Sequence, residues 1–99
     1  MALTDAQRES IYRLRLKEPA AKPFLDHLAA LKLNMRETSL NVVETYSGLN
    51  RSRSLELMRE IVAAGVASMG GGHGTPSFLK WADNVDVREI GRDTDQPLR

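Results

Sequence analysis

Asn50-Arg51-Ser52-Arg53 puts two guanidinium groups and two short hydrogen-bonding side chains in four consecutive positions. If a helix starts here, its unpaired N–H groups and the positive end of its dipole add to the two arginines. That combination suits phosphate oxygens and base edges, although such a turn also fits an ordinary solvated surface. Further along the same outer face, Glu56 and Glu60 stand beside Arg53 and Arg59. A purely electrostatic polyanion site would avoid the acids, but a glutamate can accept from cytosine N4 in a major groove. Arg36 and Lys80 flank this face in the expected fold and could hold phosphates, or simply be solvated.

The run Gly70-Gly71-Gly72-His73-Gly74-Thr75-Pro76 is the second feature with chemical reach. It lacks the lysine and the serine or threonine of a phosphate-cradling P-loop, and it neither follows a long buried strand nor opens a helix. As a hairpin tip it makes sense. Glycines such as Gly72 let the backbone approach a phosphate or a minor groove, and His73 and Thr75 supply polar contacts there; a plain hairpin loop has the same composition.

Other chemistries find no residues to carry them. Cysteine is absent, which excludes disulfides, thiolate metal sites and a cysteine nucleophile. His27 and His73 are the only histidines, and neither has neighbours at metal-ligand spacing. His27 is expected on a surface or a helix interface, Tyr46 to pack, and Phe78 and Trp81 to cover a core. With no acid pair in an apolar setting and no serine–histidine pairing, no enzyme and no cofactor are expected.

The elements that must position these residues fit one small domain. The chain has 99 residues, 41% hydrophobic and 27% charged, within the ordinary globular range. No run of about 18 apolar residues is present, so no spanning helix and no membrane partner are expected. Met1–Arg15 lacks an apolar core flanked as in a signal peptide, and a cytoplasmic location is expected. Charge is nearly balanced: residues 1–35 hold six bases and four acids, 36–82 five and four, and 83–99 three and five, giving +2, +1 and −2, a net +1. Bulk charge does not draw this chain to nucleic acid, so a local patch doubled by a homodimer would have to.

Thr4-x-x-Gln7 has capping-box spacing and opens a helix over Asp5–Lys17 whose apolar stripe is thin. Pro19 and Pro23 break the chain, and Pro23 suits the start of a second helix running to about Leu33. Thr38 or Ser39 caps a short helix from Leu40 to Tyr46, closed at Ser47-Gly48. Asn50 caps the next helix, Arg51–Ala64, and Gly65 stops it. Its predicted buried stripe is Ser54, Leu55, Met58, Ile61 and Val62, which leaves Leu57 exposed. Strands are expected at 66–69 and 77–81, joined by the glycine-rich loop. Ala82 to Arg99 has few apolar residues, and at least its last eight are expected to be disordered.

Gly48-Leu49-Asn50-Arg51-Ser52-Arg53, then Leu57 to Val66 without a gap, then the glycine-rich hairpin, resemble the winged helix-turn-helix family of DNA-binding domains. The resemblance covers roughly residues 24–82. It implies a mainly α fold with a small β-hairpin (α+β), organised as an N-terminal helix and linker over 1–22 that helps pair two protomers, a winged domain over 23–82 and a polar, flexible tail over 83–99. It implies a small dimeric transcription regulator, a repressor, that binds double-stranded DNA with helix 51–64 in the major groove and hairpin 66–81 as the wing. The DNA-contacting set is then Asn50, Arg51, Ser52, Arg53, Glu56, Arg59, Gly72, His73, Thr75, Lys80 and Arg36. Two alternatives stay open: a winged helix that docks on protein, favoured by balanced charge, Glu56, Glu60 and an exposed Leu57, and a plasmid or phage replication, partition or accessory factor. Whether a small-molecule effector exists is not written in these residues.

Overall fold

Local capping sets most of the helix boundaries. Thr4 Oγ1 accepts from the Gln7 amide at 3.1 Å while Gln7 Oε1 accepts from the Thr4 amide at 2.9 Å, the reciprocal capping box that opens α1 (Asp5–Lys17). α2 (Ala21–Ala29) begins two residues before Pro23. Proline is tolerated there because amides of the first turn have no partner inside the helix. The expected extension of α2 to Leu33 does not form: the helix closes at Ala30, and Leu33 is left 75% exposed.

Ser39 Oγ accepts from the Val42 amide to start α3 (Leu40–Ser47), and Gly48 ends it at φ 72°, a left-handed conformation that costs a side-chain-bearing residue. Asn50 Oδ1 then accepts from the Arg53 amide at 2.9 Å to start α4 (Arg51–Ala63), and Gly65, also left-handed, turns the chain out. The computed structural model describes residues 3–71 and 77–96.

Three strands form among the described residues, one more than the hairpin expected. β1 (Glu37–Ser39), β2 (Ala67–Gly70) and β3 (Phe78–Trp81) make an antiparallel sheet with β3 in the middle. Thr38 pairs with Leu79 on one side of β3, and Met69 pairs with Leu79 on the other. Trp81 is core, as expected, and its indole Nε1 donates to Thr38 Oγ1 at 2.9 Å, so neither buried polar atom is orphaned. The chain is thus mixed α and β, with five helices and this small sheet among the described residues.

The stretch after residue 82 corrects the expectation of a flexible polar tail. Val85, Val87, Ile90 and Thr94 are buried, and α5 (Val87–Arg92) makes the most extensive helix–helix contact of the fold, against α2. Asn34 supports it from the loop after α2, donating to the Val85 carbonyl and accepting from the Val87 amide. Of the eight terminal residues expected to be disordered, Arg92 is the last residue of α5, 93–96 follow it in defined positions, and Pro97–Arg99 lie outside the described residues. Arg15 of α1 closes the far end. Its side chain is 8% exposed, its Nη2 donates to the Gly91 carbonyl and its Nε to Thr94 Oγ1. Those bonds satisfy carbonyl and hydroxyl groups that the end of a short helix otherwise leaves open.

Asp86 caps α5 through the Arg88 amide and forms a two-point pair with the Arg88 guanidinium. That side-chain hydrogen bonding holds the Asp86 carboxyl at about 2, below its ordinary 3.8. A depressed carboxyl contributes stability that is complete above its unfolded value and lost as pH falls through its folded one. Asp86→Asn is therefore expected to be less stable than wild type by about 1 kcal/mol at pH 6, the figure being discounted for solvent screening at this partly exposed site. The gap should close between pH 4 and pH 2. Thermal melts across that range check it, and a gap that stays constant would mean that the Asp86 charge is not the cause.

Candidate nucleic-acid interface

α4 shows which of the expected contact residues face outward. Ser52, Glu56, Arg59 and Ala63 are all exposed and follow one another at i, i+4, i+7 and i+11, a single stripe along the helix. Arg59 has no ion pair among the described residues. Asn50 spends its side-chain oxygen on the cap but keeps its amide NH₂ available at the same end. The opposite side of α4 is core: Ser54, Met58 and Ile61 are fully buried, with Leu55 and Val62 partly so.

The remaining flank of α4 carries α1, which sequence reasoning did not place there. Gln7 Nε2 donates to the Gly65 carbonyl at 2.9 Å, Lys17 pairs with Glu60 at 2.8 Å, and Glu18 pairs with Arg53. The order of these contacts makes the two helices antiparallel. Leu14 and Leu57 line the groove between them, which encloses about 280 Å³ together with Lys17, Glu18, Arg53, Glu56, Arg59 and Glu60. Leu57 is only 3% exposed, correcting the expectation that it stands in solvent: α1 covers the side of α4 that the stripe of α4 alone leaves open. The Lys17 ammonium is raised above its usual value, first by its hydrogen bond to the Glu60 carboxylate and then by that charge.

Both arginines of the first turn have acidic partners. Arg53 meets Glu18 from the end of α1, and Arg51 lies 3.7 Å from Glu44 of α3. Both guanidinium groups stay more than half exposed, so they present charge to solvent while sharing it with a carboxylate. Lys17, Glu18 and Glu44 are the residues that sequence reasoning missed. Arg51 and Glu44 are seven positions apart across a turn and Arg53 and Glu18 thirty-five apart, distances at which no periodicity signals a pair.

The other expected residues do not gather at this end. Lys80 lies on β3 opposite Glu37 and Ser68, on the solvent side of the sheet, and shares a shallow depression with Gly65, Ala67 and Asp83. Arg36 immediately precedes β1, accepts a backbone bond from Trp81 and pairs with Asp83. Both therefore stand near the C-terminal end of α4, a helix of 13 residues and so about 20 Å from its N-terminal turn. Gly72, His73 and Thr75 lie outside the described residues.

His27 and Tyr46 stack with ring centroids 3.8 Å apart and planes at 14°, joining α2 to α3; Tyr46 packs as expected, and His27 takes the helix interface, one of its two expected places. No cluster of three or more metal-ligating side chains exists among the described residues, and among them no helix is long and apolar enough to cross a membrane. The arrangement offers a polar, mixed-charge helix face with cations concentrated at its N-terminal turn. Such a face can donate to phosphate oxygens and exchange hydrogen bonds with base edges. No protein-family model, curated protein or solved structure matches the chain.

Proposed function

We propose that this chain is a small winged helix-turn-helix protein that binds double-stranded DNA as a dimer and regulates transcription, with α4 in the major groove and the β2–β3 hairpin as wing. The observation that carries the reading is the exposed stripe Ser52, Glu56, Arg59 and Ala63, continuous with the first turn Asn50–Arg53. Supporting it are the order helix, strand, helix, tight turn, helix, hairpin and the central place of β3, because this order leaves one face of α4 outside the core. Pairing of two protomers is supported by exposed Leu16 on α1 and by Leu33 and Met35 in the loop before β1. Two copies would double a patch whose single-copy charge is modest.

The test is fluorescence anisotropy with a labelled random duplex of about 30 base pairs at two salt concentrations, run beside a mass measurement in solution. Binding that weakens with a log–log slope near −0.9 per phosphate neutralised is the expected result. Absence of binding at about 100 μM protein and low salt would remove DNA as partner, and a monomer mass at all concentrations would remove the dimer. One observation favours a second reading, docking on protein: Arg51 and Arg53 are partly neutralised by Glu44 and Glu18. In that case the duplex does not bind and Arg53→Ala has nothing to weaken.

A further inference from the structure

We infer that α1 carries a built-in competitor for the DNA-binding turn: the Glu18 carboxylate occupies the Arg53 guanidinium that a phosphate would use, so α1 tunes α4's grip on a polyanion. The inference rests on the DNA-binding reading above and concerns how that site is regulated. Its basis is the antiparallel seating of α1 on α4. Three polar contacts fix the register of the two helices at both ends, Gln7 to Gly65, Lys17 to Glu60 and Glu18 to Arg53. Between them, Leu14 and Leu57 share the groove and are both buried.

This seating holds the Glu18 backbone beside Arg53. Glu18 is the C-cap residue of α1, its own amide is bonded to Leu14, and its side chain is only 24% exposed. A guanidinium has a limited set of donors in one plane, and a carboxylate and a phosphate oxygen seek the same ones. A phosphate must therefore displace Glu18 or accept the remaining edge of Arg53 with a carboxylate close by. Lys17 has the opposite effect one residue earlier, because it neutralises Glu60, an acid that would repel the same ligand. The α1 end thus removes one repulsion from α4 and holds back one attraction.

The contact is exposed enough to break. Arg53 is 53% exposed, and surface ion pairs of this kind are weak, so the competitor attenuates binding rather than abolishing it. Removing the carboxylate should tighten binding about two- to fivefold for each protomer on the duplex.

The experiment compares four full-length proteins by anisotropy on one duplex at fixed salt: wild type, Glu18→Gln, Arg53→Ala and the double variant. Glu9→Gln is the charge control, since Glu9 sits on the same helix but pairs with Arg13 instead of α4. The expected result is tighter binding by Glu18→Gln, no such gain by Glu9→Gln, and no further gain from Glu18→Gln once Arg53 is alanine. An equal gain from both glutamate changes, or a gain that survives in the Arg53→Ala background, would reduce the effect to net charge and overturn the competitor. Wild type and Glu18→Gln binding alike would overturn it while leaving DNA binding intact. If none of the proteins binds duplex, the DNA reading itself falls and the competitor with it; circular dichroism of each variant establishes that all are folded.

Discussion

Gly91→Ala is expected to destabilise the protein by about 3 kcal/mol or more, a fall in melting temperature of roughly 10–25 °C for a chain of this size. A Cβ at this position would lie 2.1 Å from the Leu25 carbonyl oxygen, 2.6 Å from the Ala29 amide nitrogen and 2.7 Å from the Ala29 Cβ. Two of these three atoms are backbone of α2, so no rotamer change relieves the overlap and the two helices must separate. Separation exposes Ile90 and Val87 on one side and Leu25 and Leu28 on the other, all fully buried. It also moves the Gly91 carbonyl away from Arg15, whose nearly buried guanidinium would lose its closest acceptor. The loss therefore reaches α1, and through α1 the covered flank of α4. Gly48→Ala is the informative contrast: nothing lies within 4 Å of its Cβ, and its cost comes only from a left-handed φ, about 1 kcal/mol. Denaturant titration of both variants checks the ranking, and a Gly91→Ala midpoint within about 0.5 kcal/mol of wild type would mean that α5 does not pack against α2 this closely.

That contact also marks where sequence reasoning stops. The α3–turn–α4 unit was legible because its instructions are local: Ser39, Gly48 and Asn50 each act on residues within three or four positions. α1 was legible for the same reason, through Thr4 and Gln7. β1 was not, because Glu37-Thr38-Ser39 has no apolar alternation of its own and becomes a strand by pairing with β3 forty residues later. Nor was α5, a six-residue helix whose Val87 and Ile90 are too few to form a stripe without α2 to receive them. In the candidate site, residue type identified the arginines and helical spacing the outward face of α4. Their acidic partners and the burial of Leu57 depend on α1 returning across the domain, which no spacing in the chain encodes.

On the DNA-binding reading proposed above, Arg59→Ala is expected to cost the largest share of duplex recognition. Arg59 is the exposed cation on the outward stripe of α4 without an ion pair among the described residues, whereas Arg51 and Arg53 would first have to release Glu44 and Glu18. It lies more than two turns into the helix, past the end where the dipole favours phosphate, and three residues from Glu56 on the same side. A guanidinium there is placed for a base edge, and a two-point contact of that kind discriminates by about 1–3 kcal/mol. Two copies in a dimer make this about 2–6 kcal/mol, a loss of at least about 30-fold on a duplex selected from a randomised pool. On an arbitrary duplex the same change should cost far less, because the contact it removes carries sequence information. Arg53→Ala should behave in the opposite way, weakening all duplexes alike and lowering the salt slope by about one per protomer. Anisotropy of both variants on the selected and the random duplex separates the two roles. Equal losses from Arg59→Ala on the two duplexes would put this arginine on the phosphate backbone, and no loss on either would take the outward stripe of α4 out of the groove altogether.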